Sequence, residues 1–296
     1  MTRRTPFLVA LLAVVLLCVP NSSVNATNAV LVEVEQANGV DLTPDVTWIL
    51  VLGSDARPGQ AITRQRADAI QLVGINSKTG AATVIGVPRD SWVSIPGRGN
   101  NKINAAMSLG GPQLMARAVQ GLIGIEPDFV MVADFVGFQK MIDAIGPITI
   151  NSPRAFSYPN FDRGRFVKGA NQVKGKRALI FARERKNQPR GDFDRSANQQ
   201  AVIRAIHARI QQKQTTPGFL DKGVWAVLRN MDMQVSPAQA YKLSRAIAAV
   251  DPKKITGCVV GGSEGTTGGG ASVVFPNRSQ AQRYGKDARD DAVLKC

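Results

Sequence analysis

The chain has 296 residues, 44% of them hydrophobic, enough to bury a substantial core in one large α/β domain or two small ones. Its 37 lysines and arginines against 22 aspartates and glutamates leave a formal charge of +15, which selects acidic partners: nucleic acid, an anionic membrane or phosphate-bearing substrates. A single histidine, His207, excludes histidine triads and histidine-rich metal sites, and nothing repeats at a solenoid period.

Thr2, Arg3 and Arg4 precede an apolar run from Phe7 to Val19, followed by Val24, Asn25 and Ala26 at the positions a signal peptidase reads. The run, about 13 residues, is shorter than the roughly 20 of a membrane span. Residues 1–26 are therefore expected to be a signal peptide cleaved after Ala26, with an uncleaved anchor as the alternative. Cys18 follows Leu16 and Leu17 instead of the small residues of a lipobox, and belongs to the apolar run. Export removes nucleic acid from the candidate partners. It also leaves Cys258 and Cys296 as an even pair in an oxidising compartment. Their disulfide would close a loop of about 38 residues and stabilise the fold by roughly 3–4 kcal/mol.

Residues 27–45 are polar to mixed and are expected to be a spacer. Trp48–Leu52 is a continuous apolar run, as in a strand buried on both faces, and Asp55 lies just beyond its carboxyl end. Ala69–Ile75 and Thr83–Val87, separated by the turn-like residues 76–80, predict an antiparallel hairpin. Trp92–Ile95 predicts a short strand and residues 96–101 a loop. Helical spacing runs from Ile103 to Ile123, broken into two pieces by Gly110, Gly111 and Pro112. Phe129–Ala133 and Ile148–Ile150 are expected strands, with a helix over Phe135–Ile145 between them. Residues 151–174 read as irregular, carrying Phe156, Tyr158, Phe161 and Phe166. A short helix over Ala178–Ala182 leads into basic residues 183–190, and a long helix spans 194–213. Two more helices are expected over 218–229 and 237–250. Closing strands follow at 254–260 and 272–275, separated by a flexible glycine-rich loop over 261–270. Strands mixed with helices predict an α/β/α layered domain.

In the long helix, Val202, Ile203, Ile206 and Ile210 define an apolar stripe, and backward steps of three or four residues put Gln199 and Arg195 on it. A buried guanidinium needs a counter-charge, so Arg195 meets either a bound anion at the helix N-terminus or a structural partner, Asp192 or Asp194. Arg183 and Arg185, two residues apart in an extended exit from a helix, would direct two forks toward one diphosphate; a solvated basic turn is the alternative. Asp55 and Asp68 lie near the end of one strand and the start of the next, where two carboxylates suit a magnesium ion shared with phosphates; capping or turn roles are the alternative. Arg89 and Asp90 follow Pro88 at a strand end, with Asp90 placed to orient Arg89. Neither Gly175–Lys176 nor residues 261–270 meet a P-loop pattern.

Seven segments, in order and spacing, resemble the LytR-CpsA-Psr family of bacterial cell-wall enzymes: Ile49–Arg57 (ILVLGSDAR), Arg66–Asp68 (RAD), Val87–Asp90 (VPRD), Lys102–Ala106 (KINAA), Phe135–Phe138 (FVGF), Ala178–Arg185 (ALIFARER) and Gly191–Gln199 (GDFDRSANQ). The resemblance covers about residues 47–212. It implies one α/β/α domain with a mixed central sheet over residues 46–296, and transfer of a glycopolymer from a polyprenyl-pyrophosphate carrier to peptidoglycan at the membrane surface. On the matching positions, Asp55 and Asp68 hold magnesium, with manganese as a substitute. Arg66, Arg89, Lys102, Asn104, Arg183, Arg185, Arg195 and Gln199 bind or wall the pyrophosphate. Apolar and aromatic side chains of residues 107–123 and 135–142 would line a tunnel for the prenyl chain, with plain core packing as the alternative for most of them.

The implied mechanism is attack of a peptidoglycan hydroxyl on the sugar-linked phosphorus, with Arg89 and Asp90 as the catalytic pair and polyprenyl phosphate leaving. Two departures from the family pattern stand out. Arg66-Ala67-Asp68-Ala69 replaces Arg-Ser-Asp-Thr, removing two hydroxyls beside a metal ligand, and Gly146-Pro147 replaces Gly-Gly. The alternatives are an exported binding protein that holds such polymers without turnover, and a hydrolase that uses water as acceptor.

Overall fold

The computed structural model describes residues 28–34, 45–158, 164–213, 215–216, 231–236, 238–239, 243, 246–247 and 249–296. The signal peptide with Cys18, the helix expected over 218–229, Phe161 and much of the helix expected over 237–250 lie outside the described residues.

β1 (Ala29–Glu33) falls inside the stretch read as spacer. Five residues with polar flanks carry too little pattern to announce a strand, and β1 is held by neighbours far away in sequence. β2 (Val46–Ser54), β3 (Ala67–Asn76) and β4 (Ala82–Gly86) follow the apolar runs, paired antiparallel as expected. β5 (Trp92–Ile95) pairs with β6 (Gly99–Lys102), which replaces the end of the expected loop; the register Trp92↔Lys102 returns Lys102 toward Asp90. α1 (Ala105–Ile123) is broken at Gly110 and Gly111, where the backbone leaves the helical region just before Pro112.

β7 (Phe129–Ala133) and α2 (Phe135–Ile145) form where expected, with Asp134 capping α2 by accepting from Gly137 N at 2.6 Å. β8 (Ile148–Ser152) pairs with β11 (Gly169–Val173), and β9 (Phe156–Ser157) with β10 (Arg165–Phe166), so part of the segment read as irregular is two small sheets. Phe156, Phe166 and Phe181 organise this region, with ring centroids 4.8–5.7 Å apart.

α3 (Gly175–Arg183), α4 (Gly191–Lys213), β12 (Met231–Gln234), β13 (Ile255–Val259), β14 (Gly262–Thr266), β15 (Ser272–Pro276) and α5 (Arg278–Ala288) follow in chain order. β14 lies within the expected glycine-rich loop. A Cβ at Gly262 would collide with the Phe275 carbonyl, so glycine is what lets β14 approach β15. The sequence gives little sign of α5, because its buried stripe is Ala281, Tyr284 and Ala288, mostly methyl groups.

Seven strands form one mixed sheet in the order β12-β1-β7-β2-β3-β4-β13. One face, with Trp48, Leu50, Leu72, Ile85 and Val132, packs on α1 and α5. The other is covered in part by Leu243, Ala246 and Val250, and by α4, which crosses β3 and β4. The chain is thus α/β/α layered around a mixed sheet, as the order of apolar runs predicts. Close contact of α4 with the sheet depends on Gly86, where a Cβ would collide with Ser196 Oγ. β13 ends the sheet, and Cys296 returns to it with 5.7 Å between its Cα and that of Cys258.

Candidate functional site

A cavity of about 240 Å³ opens between the second face of the sheet and helices α2, α3 and α4. Its walls are apolar: Val51, Leu52, Ala69, Met131 and Ala133 from the sheet; Phe135, Phe138 and Met141 from α2; Leu179 from α3; and Val202, Ile203 and Ile206 from α4. Asp68, Arg89, Arg183, Arg195 and Gln199 also line it. An apolar cavity bearing several guanidinium groups suits an amphiphile with an anionic head.

Local irregularity in the sheet positions the acidic group. The β2–β3 ladder pairs Gly53 with Ala69 and Ser54 with Ala67, leaving Asp68 as an extra residue in a bulge. Bulges redirect side chains at strand ends. Asp68 Oδ1 accepts from Arg89 Nη1 in a close ion pair. Burial alone would lower the Arg89 pKa, but the charge and hydrogen bond of Asp68, with Asp90 and Asp192, outweigh it and raise the pKa above its ordinary value.

Asp90 gathers three cations. Lys102 Nζ lies 3.1 Å from one carboxylate oxygen, and Arg89 Nε and Arg185 Nη1 lie 3.8 and 3.9 Å from the other. The loop is pinned through its main chain: Asn104 N donates to Arg89 O at 3.2 Å, Ile103 N to Ser91 O at 2.8 Å, and Val274 N to Asp90 O at 2.9 Å. These bonds draw β15 and the start of α1 to one loop.

α4 begins at Gly191, three residues earlier than expected, so Asp192 and Asp194 fall in its first turn, where the helix dipole favours negative charge. Arg195 pairs closely with Asp192 while also lining the cavity. Of the two readings left open by the sequence, the structural partner is present as Asp192, and Arg195 lines the cavity as well. Burial lowers the Arg195 pKa against the pull of Asp192, and burial raises that of Asp192 against Arg195. Asp194 instead takes Arg190, at 2.8 Å, and Arg154, at 3.7 Å.

Arg183 and Arg185 do not share one target. Arg183, the last residue of α3, stacks over Phe135 at 4.3 Å, whereas Arg185 follows the extended, buried Glu184 and approaches Asp90. Asp55 is tied to its neighbour strand by its main chain, Asp55 N donating to Arg66 O at 3.2 Å, and Arg66 is exposed. Asn104, 3% exposed, stands at the N-cap position of α1 without a side-chain capping hydrogen bond. Asp55, Arg66, Lys102 and Asn104 thus flank the cavity and do not line it. Residues 107–123 pack on the opposite face of the sheet and form no tunnel wall; of the two expected segments, only the one on α2 contributes.

Sequence reasoning missed the polar layer under the site. Gln71 Nε2 donates to Gln199 Oε1 and Ser196 Oγ, both at 3.0 Å, and Gln200 Nε2 donates to Cys258 O at 2.7 Å and Val84 O at 3.2 Å, joining β4 to β13. The available signal was one glutamine inside the apolar run from Ala69 to Ile75.

Comparison with known proteins places this geometry. The chain is 35% identical over 159 residues to the polyisoprenyl-teichoic acid–peptidoglycan teichoic acid transferase TagU of Bacillus subtilis, covering 53% of this chain and 50% of TagU. It is 38% identical over 178 residues to the regulatory protein MsrR of Staphylococcus aureus, covering 59% of this chain and 52% of MsrR. The chain thus spans about half the length of the curated relatives it matches. The crystal structure of B. subtilis TagV superposes with a TM-score of 0.70 at 26% identity, over 83% of this chain and 96% of TagV. The model of the LytR_cpsA_psr family matches residues 16–290, and the chain belongs to that family.

Proposed function

We propose that this protein transfers a glycopolymer from a polyprenyl-pyrophosphate carrier to peptidoglycan at the outer surface of the membrane. The observation that carries this reading is the apolar cavity lined also by Arg89, Arg183, Arg195 and Gln199, which offers a dry wall to a prenyl chain and guanidinium forks to a diphosphate. The similarity to TagU supports the substrate class.

In this mechanism the acceptor hydroxyl attacks the sugar-linked phosphorus. The bond to the bridging oxygen breaks, and polyprenyl phosphate leaves with the electron pair. Arg89, Arg183 and Arg195 bind the diphosphate and offset charge developing on the leaving phosphate. Asp90, flanked by Lys102 and Arg185, accepts the hydroxyl proton.

Asp55 and Asp68 fit a magnesium ion by donor chemistry: two carboxylates at the junction of β2 and β3, with Arg89 engaging only Oδ1 of Asp68. Bound there, the ion would neutralise phosphate charge. Among the described residues no group of three or more metal-binding side chains forms, so substrate oxygens and water would complete the shell.

The test supplies lipid-linked polymer, peptidoglycan and magnesium to the purified protein. Polymer joined to the wall with release of polyprenyl phosphate is the expected result. Free phosphorylated polymer would instead identify a hydrolase, and retained, unprocessed lipid a binding protein.

The basic and apolar start of the chain supports export, and the Cα spacing of Cys258 and Cys296 falls in the disulfide range. In an oxidising buffer, Cys296→Ser is expected to lower the unfolding free energy by about 3 kcal/mol, and reductant to bring the parent down to the level of the variant. Equilibrium urea unfolding measures both; a parent indifferent to reductant would remove the bond.

A further inference from the structure

Gln71 lies in the middle of β3, 1% exposed, with its side chain at the cavity wall. Its Nε2 lies 3.3 Å from Ser196 O, 3.0 Å from Ser196 Oγ and 3.0 Å from Gln199 Oε1. A main-chain carbonyl only accepts, so the Ser196 carbonyl fixes which end of the Gln71 amide faces α4. That in turn requires Gln199 to present its oxygen to Gln71. Gln199 Nε2 then points toward two more main-chain carbonyls, Asp68 O and Ala182 O, both at 3.4 Å. Those two contacts are long, so the donor can turn to a phosphate oxygen at little cost.

The other end of Gln71 favours the same reading. Among the described residues its Oε1 is buried with no hydrogen-bond partner. An aliphatic side chain on this apolar stretch of sheet would avoid that cost, so packing does not account for the amide.

We infer that Gln71 is a positioning residue: it fixes the Gln199 amide with its nitrogen toward the cavity, so that a diphosphate meets a donor and not a carbonyl oxygen. This inference rests on the transferase reading, in which Gln199 contacts the pyrophosphate of the donor lipid. Without Gln71 only the two long contacts to Asp68 O and Ala182 O hold the Gln199 amide, and once its donor leaves them for a phosphate the amide can turn over and set its oxygen against the anion.

The experiment is calorimetric titration of the full chain with inorganic pyrophosphate and with farnesyl pyrophosphate. Gln71→Leu and the slimmer Gln71→Met are each expected to weaken binding about tenfold, the loss of one oriented hydrogen bond to a charged group. Gln71→Glu, which accepts but does not donate, weakens it further. In a Gln199→Ala background, Gln71→Leu causes no further loss, which separates positioning from a general structural effect. Thermal unfolding shows which variants fold; should the leucine variant fail, the methionine variant decides. Parent-like affinity in the folded variants, or a loss of equal size in the Gln199→Ala background, overturns the inference and leaves the transferase reading intact. A parent that binds neither probe overturns both.

Discussion

Arg89→Ala is expected to lower kcat/KM for polymer transfer by roughly 10²- to 10³-fold, the usual loss when one preorganised charge-stabilising donor is removed. The guanidinium holds Asp68 on one side and approaches Asp90 on the other. Its removal does more than delete a cation: it leaves two carboxylates facing the diphosphate, so repulsion adds to lost attraction. The effect belongs in kcat as well as KM, because charge accumulates on the leaving phosphate during transfer. Arg89→Lys keeps the charge but not the planar fork, and recovers only about tenfold of the loss, since a point charge cannot serve both carboxylates and a phosphate. Steady-state kinetics with lipid-linked donor measures this. A rate for Arg89→Ala within about threefold of the parent would remove Arg89 from the reacting centre.

The second large effect concerns stability. Arg195→Met is expected to cost about 3–5 kcal/mol, because it strands Asp192, a carboxylate whose side chain is 4% exposed. Arg195→Met combined with Asp192→Leu should recover most of that stability, since neither charge is then buried, while transfer stays lost for want of the guanidinium in the cavity. Urea unfolding of the single and double variants tests the first part, and the transfer assay the second. The pH dependence has a definite sign. Burial raises the Asp192 pKa above its unfolded value, so its contribution is fully present below the unfolded pKa and is lost as pH rises through the folded one. Removing Arg195 takes away the opposing pull and strengthens that trend: the single variant loses more stability than the parent as pH rises out of the ordinary carboxylate range. A single variant as stable as the parent at neutral pH would show that the pair contributes nothing net.

The elements that were legible are those whose pattern is local and strong. Trp48–Leu52 and the hairpin after it each bury enough surface to specify themselves, whereas of the stripe expected on α4 only Val202 is buried and Ile203, Ile206 and Ile210 are half-buried. The break at Gly110 and Gly111 was legible for the same reason, since residues that disfavour helix act at their own position. β1, β14 and α5 were not. Each is short, polar or alanine-rich; β1 and α5 are held by partners distant in sequence, such as β12 beside β1 and α1 beside α5, and β14, paired with the next strand, is too polar and glycine-rich to announce itself.

The candidate site divides in the same way. Motif and helical phase brought Arg89, Arg195 and Gln199 to the cavity, because helix spacing fixes which residues share a face. Phase cannot say which carboxylate each guanidinium meets. Arg183 and Arg185, expected to converge, part although Glu184 between them is extended, because Arg183 stacks over Phe135 and Arg185 reaches toward Asp90. The helix from Ala105 to Ile123, expected as tunnel wall, packs on the far face of the sheet, because an apolar stripe does not state which sheet face it covers.

By itself, the sequence determined a strongly basic charge, the central strands, and the residues sharing one face of the long helix, since composition and periodicity are properties of the chain and its neighbouring residues. Only the tertiary structure decided that Asp68 bulges toward Arg89, that Lys102 returns to Asp90, and that Gln71 reaches Gln199 across 128 residues of chain. Those contacts depend on strand register and on how closely a helix approaches a sheet, and both are set by packing between segments far apart in the chain.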